Sequence, residues 1–161
     1  MIALIQKVSE ASVTIENQRI AEIGFGALAL VGVEKMDTHK EVELLKDKIL
    51  LFRMFNDTDG KMNLNIREAE GSLLLVPQFT LVADTDKGRR PGFSRGATPS
   101  VASELFTGLC DSFALAIETP VARGKFGADM KVGLVNDGPV TFWLRVGNNC
   151  CLLYTSPSPR D

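Results

Sequence analysis

Histidine is nearly absent: the chain has one, His39, among 161 residues. That scarcity removes imidazole-dependent triads and zinc sites built on several imidazoles. His39 lies in DTHKE, where a helix is expected to begin, and reads as a solvated helix-end side chain. Cysteine is also scarce, with three. Cys110 falls in an apolar helical pattern and reads as core; Cys150 and Cys151 are adjacent and assemble no zinc spacing. No apolar run reaches the roughly 18 residues of a membrane helix, and the opening MIALIQKV gains charge too early for a secretory leader. The expectation is a cytoplasmic chain with no membrane partner. P-loop, HExxH and GxGxxG signatures are missing. The turn Asn56–Gly60 looks like half a calcium loop but lacks the later bidentate glutamate. Neither a metal nor a cofactor is expected.

An excess of one charge is lacking too. The formal net charge is −2, so global charge does not announce nucleic acid, and DNA is not an expected partner. The basic residues are nevertheless grouped. Lys87, Arg89, Arg90 and Arg95 fall together, and Arg123, Lys125 and Lys131 form a looser second group. Each group is either a solvated loop or a surface that faces phosphates.

What is present is an ordinary globular composition, 45% hydrophobic and 24% charged, of a length that suits one domain. Ile2–Val8, Ala11–Glu16, Arg19–Ile23 and Ala27–Val33 read as four strands in an antiparallel meander, the last buried on both faces. Asp37 or Thr38 caps an amphipathic helix of about 15 residues. Met62–Ile66 reads as a short edge strand and Ser72–Val76 as a buried one, with Pro77 interrupting the ladder or marking an edge. Ala83–Ser100 is a long polar segment, a binding loop or a disordered one. Thr98 or Ser100 caps a second helix, Val101 to about Ile117, and Thr119–Ala122 is a further strand. This order disfavours a doubly wound fold. The expected class is α+β: a mixed, mostly antiparallel sheet or barrel-like domain with two packed helices, over residues 1–146. Gly147–Asp161 breaks the pattern and reads as a disordered or foreign extension.

The chain is organised around Val132–Leu144, VGLVNDGPVTFWL. Two apolar runs flank Asn136-Asp137-Gly138-Pro139, all turn formers. Local signals make this a hairpin turn. It also has the makings of a tool: Gly138 lets backbone approach another molecule, Pro139 fixes φ, and an X-Pro bond is the one kind that adopts cis readily. Threonines Thr80, in PQFTL, and Thr141, in GPVT, are candidate nucleophiles. Each needs a base, for which Asp84 or Asp129 are candidates that spacing does not single out.

MIALIQKVSEASVTIE, GKMNLN, PQFTLVADTDKGRRPGFS and VNDGPVTFWL together resemble the bacterial D-aminoacyl-tRNA deacylases, from residue 1 to about 146. The resemblance implies a β-barrel-like α+β fold and hydrolysis of the ester joining a D-amino acid to the 3′ end of tRNA, with mischarged glycine also removed. It implies a homodimer with the active site at the subunit interface. Gly138-Pro139 would be cis and enter the partner's pocket, its carbonyls holding the α-amino group so that an L side chain clashes. Gln78, Phe79 and Thr80 would supply main-chain N–H groups to the scissile carbonyl, with the terminal ribose 2′-hydroxyl assisting attack. Phe79 would pack near the terminal adenosine, and Met130 and Thr141 would line the substrate pocket. Lys87, Arg89, Arg90 and Arg95 would meet tRNA phosphates.

Two positions depart from the family pattern. Pro77 stands where a serine is usual and offers neither hydroxyl nor N–H. Lys7 stands where an arginine is common and replaces its charge without its fork. Two other functions remain open on the residues: an esterase of small D-amino-acid esters with Thr80 as nucleophile, and a non-catalytic RNA-binding module using Lys87–Arg95.

Overall fold

A computed structural model describes residues 1–147; the expected extension lies outside the described residues apart from Gly147. The strands are β1 (Ile2–Ile15), β2 (Gln18–Ile23), β3 (Gly26–Gly32), β4 (Phe55–Asn56), β5 (Met62–Leu64), β6 (Ser72–Pro77), β7 (Val121–Arg123) and β8 (Lys131–Arg145). The helices are α1 (His39–Leu51) and α2 (Pro99–Ala116), and a 3-10 turn spans Phe79–Val82. The main sheet runs β2-β1-β3-β6-β7, with β8 also paired to β1. Pairs β3–β6 and β6–β7 are parallel, while β1 is antiparallel to β2, β3 and β8. The class is α+β, as the sequence predicts.

The expected four-strand meander is corrected. Ile2–Ile15 is one strand of 14 residues, and both β2 and β3 pair with it, β3 along its first half and β2 along its second. A bulge joins the two halves: Val8 faces Asn136 and Glu10 faces Val135, leaving Ser9 as the extra residue. An extra residue reverses which face each later side chain takes. Ala3 and Ile5 therefore join the core under the helices, while Val8, Ala11 and Val13 join the second core on the opposite face, although 8 and 11 differ in parity.

The two cores use both faces of the central strands. Ala29, Val31, Leu73 and Leu75 meet Leu45, Ile49, Leu105, Leu109 and Phe113 of the helices, whereas Leu28, Leu74 and Val76 face the other way. Gly26 permits the close approach of β3 to β6, since a Cβ there would lie 1.9 Å from the Ser72 carbonyl oxygen. Thr38 begins α1 with a capping box: its N–H and hydroxyl both donate to Glu41 Oε2, each at 2.7 Å. Pro77 closes β6 at its last residue, where its missing N–H breaks no later rung. Cys110 is fully buried, and burial pushes its thiol up to about 12, consistent with a core residue. Around the start of β1, the buried Met1 ammonium donates to Glu34 and Asp37, each at 2.9 Å, and Glu34 also accepts from Arg145 Nε at 3.1 Å and from Nη2. Among the described residues no helix is long and apolar enough to cross a membrane.

Candidate active site

The expected hairpin at Asn136–Pro139 is not formed. Both apolar runs belong to β8 and pair with β1 instead of with each other, so the chain continues in one direction. Gln6 lies opposite Thr141 and Val8 opposite Asn136, so Asp137–Val140 stand against Lys7 alone. A long partner strand outcompetes a short hairpin because each run finds a full ladder along it. The excess residues loop outward.

Asn136 staples that loop. Its Oδ1 accepts the Val140 N–H at 2.8 Å, and its Nδ2 donates to Thr141 Oγ1 at 2.8 Å, an oxygen that also accepts from Gln6 Nε2 at 3.4 Å. The Gly138–Pro139 peptide is cis. Gly138 has φ +149°, and a Cβ would lie 2.6 Å from Val140 Cγ2 and 3.0 Å from Val140 N. Asp137, Gly138 and Pro139 are exposed while Val140 is buried, so the loop is anchored at one end and presented at the other.

A cavity of about 610 Å³ opens beyond the end of β6, and Pro77, Gln78, Phe79, Phe93, Met130 and Val132 are among its lining residues. The 3-10 turn follows directly from Pro77. The Gln78 N–H is taken by the Val31 carbonyl at 2.7 Å, and Leu81 N–H returns to Gln78 O at 3.2 Å. The N–H groups of Phe79 and Thr80 carry no partner among the described residues, as the first donors of a helical turn do not. Gln78 Nε2 donates to Thr80 Oγ1. Among the described residues no base hydrogen-bonds that hydroxyl: Asp84 pairs with Arg95, Asp129 lines a different cavity, and His39 is on α1, 3.5 Å from Glu104. Phe79 and Phe93 are exposed at the cavity, ring centres 5.2 Å apart. Gly138, Pro139 and Thr141 do not line this cavity.

The long polar segment is a pinned loop. Asp84 and Gly92 exchange backbone hydrogen bonds at 2.7 and 2.9 Å, and Lys35 and Ala97 N–H groups tie its base to Arg95 O and Val33 O. Arg95 pairs with Asp86 at 2.9 Å and Asp84 at 3.3 Å, and the Asp86 hydrogen bond raises its pKa above the ordinary value. Lys87, Arg89 and Arg90 stand exposed at the tip. Arg95 thus shapes the loop that displays the other three. Sequence reasoning missed Phe93, and it missed Gln6 and Asn136 as the residues that hold the loop-out. Asn136 was visible only as a turn former. Phe93 has no signal beyond its place in a glycine-rich stretch.

The relatives and the fold define a class first. A chain from Alteromonas mediterranea called D-aminoacyl-tRNA deacylase is 56% identical over 146 residues, 91% of this chain and 100% of that one. One of the same name from Pectobacterium carotovorum subsp. carotovorum is 57% identical over 148 residues, covering 90% and 99%. A solved structure described as c-Myc DNA Unwinding Element Binding Protein superposes with a TM-score of 0.88 at 35% identity, over 92% of this chain and 100% of that one. A probable eukaryotic D-amino acid tRNA deacylase shares the fold alone, with a TM-score of 0.75 at 17% identity over 89% and 97%. The class is that of the aminoacyl-tRNA ester hydrolases. The family model described as D-Tyr-tRNA(Tyr) deacylase matches residues 4–145, and the chain belongs to that family. It is an enzyme of D-aminoacyl-tRNA deacylase type.

Proposed function

We propose that the chain is a chiral proofreading enzyme of the cytoplasm that works as a homodimer, each subunit's Gly138-Pro139 loop completing the other's site. The observation that carries this reading is the separation of the two motifs: the loop is presented to solvent, away from the cavity at Phe79. A second copy brings them together by two-fold symmetry. Leu134, Val135 and Trp143 are exposed along β8 on either side of the loop and supply apolar surface for that copy.

In the completed site the Gly138 and Pro139 carbonyls hold the substrate α-ammonium. An L side chain is then turned against the loop, while a D side chain or the hydrogen of glycine is not. The unpartnered N–H groups of Phe79 and Thr80 stabilise the oxyanion as the ester carbonyl is attacked. Met130 and Phe79 flank the terminal adenosine, and its 2′-hydroxyl assists attack by water. Thr80 orients the turn through Gln78 and is not the nucleophile, since it has no base. Thr141 supports the loop through Asn136. The test is release of free amino acid from charged tRNA. D-tyrosine should be released and L-tyrosine retained; equal release of both would overturn the chiral reading.

A further inference from the structure

A second cavity, about 470 Å³, lies beside the first and is lined by Glu16, Asn17, Lys125, Ala128, Asp129 and Lys131 among others. Ala128 lines both cavities. Alternation along the chain at the start of β8 separates their walls: Met130 and Val132 face the larger cavity, Asp129 and Lys131 the smaller. The two spaces therefore sit on either side of one extended segment.

The charges in the smaller cavity are unspent. The Lys125 and Lys131 side chains make no ion pair or hydrogen bond among the described residues, and neither do the Glu16 and Asp129 side chains in the same cavity. Arg123, the third member of this basic group, is already tied to Asp111 at 2.9 Å. Two ammonium groups and two carboxylates spread around one concavity do not suit a simple anion. They suit a ligand that carries phosphates together with hydrogen-bond donors. A nucleotide within an RNA strand is such a ligand: its phosphates accept from lysine, and its ribose hydroxyls and base amine donate to carboxylates.

Resting on the functional reading above, we propose that the smaller cavity holds the nucleotide preceding the terminal adenosine, with Lys125 and Lys131 on its flanking phosphates and Glu16 and Asp129 accepting from its sugar and base. The adenosine in the larger cavity and its neighbour across Ala128 then follow one strand path. The looped tip at Lys87–Arg90 meets the tRNA elsewhere.

The experiment compares three substrates bearing the same D-amino acid: the ester of adenosine, the ester of the dinucleotide CpA, and full tRNA. The wild-type protein should cleave the CpA ester with kcat/KM about tenfold above the adenosine ester. The double variant K125A/K131A should erase that difference and leave the adenosine ester unchanged. On full tRNA it should raise KM about tenfold, hold kcat, and lower the log–log salt slope by about 1.4, the value for two phosphates on a single strand. K125R/K131R should restore all three. Equal cleavage of CpA and adenosine esters by the wild type would overturn the proposal, as would an equal loss on both esters in the alanine variant. If the wild type cleaves none of the three, the deacylase reading itself fails and takes the subsite with it.

Discussion

At the scale of single residues, Gly138 carries the sharpest constraint. Its φ of +149° and the 2.6 Å approach to Val140 Cγ2 leave no place for a Cβ. Gly138→Ala should therefore displace the loop's carbonyls and narrow the ratio of D to L hydrolysis. Rates on both aminoacyl-tRNAs measure it; unchanged rates would remove the role given to this glycine. Thr80→Ala should keep kcat within about tenfold, because its hydroxyl is engaged by Gln78 and lacks a base. A loss of several orders of magnitude would return Thr80 to the nucleophile's role. Gln78, Phe79 and Met130, singled out from separate stretches of the sequence, line one cavity, and the peptide before Pro139 is cis. Sequence is least legible where a residue acts through a distant partner. Gln6 meets Thr141 across 135 positions of chain, and no local pattern encodes that.

At the scale of elements, the helices were legible because their signals are local: Thr38 and Glu41 three apart, Thr98 before Pro99, and apolar residues at helical spacing. Thr38→Ala should cost about 1 kcal/mol of stability, read from urea unfolding, since it removes the hydroxyl half of the capping box. Two polar interruptions between apolar runs were misjudged as reversals, whereas the one at Asn17-Gln18 is a true turn. Both misjudged places, Ser9-Glu10 and Asn136–Pro139, are irregularities within one long strand. Sequence shows that the pattern changes there, but a reversal and a bulge change it alike; only the pairing partner decides. The loop displaying Lys87, Arg89 and Arg90 makes its own prediction. R89A/R90A should weaken tRNA binding and flatten its salt dependence with kcat at saturation unchanged. An unaltered slope would place those side chains away from the RNA.

At the scale of the whole molecule, assembly and acid stability are the measurable properties. Activity should fall with dilution through the range in which the dimer dissociates. Mixing G138A with a chain disabled at Gln78–Thr80 should restore activity, because one site of each heterodimer receives an intact loop and an intact cavity. A fully active monomer would end the shared-site reading. For acid stability, burial raises the Glu34 pKa, but the hydrogen bonds from Arg145 and the Met1 ammonium outweigh it and hold the carboxyl below its usual value. Burial likewise raises Glu41, and its Thr38 hydrogen bonds outweigh that to leave it lowered. A lowered folded-state pKa means that the unfolded chain binds more protons. These two groups stabilise the fold above the ordinary glutamate range, and that contribution disappears as pH falls through their lowered values. Asp37 runs the other way: burial pushes it up despite the ammonium, so it favours the fold on the acid side of its raised value. Glu34→Gln should cost about 3 kcal/mol, the scale for removing one partner from a buried charge pair, and should make the acid limb of a stability–pH curve shallower. Chemical denaturation from pH 3 to 7 reads both, and a parallel curve would assign the acid limb to other carboxylates.

The bulge at Ser9 separates two kinds of mutational tolerance. Ser9 and Glu10 are exposed, so nearly any side chain fits there. The number of residues is another matter. Removing one would bring the strand's later half into the phase of its first half and turn Ala11 and Val13 out of the second core toward the opposite face. A library at residues 9 and 10 should therefore accept point changes freely and reject single-codon deletions and insertions, making these two positions free in identity and fixed in number.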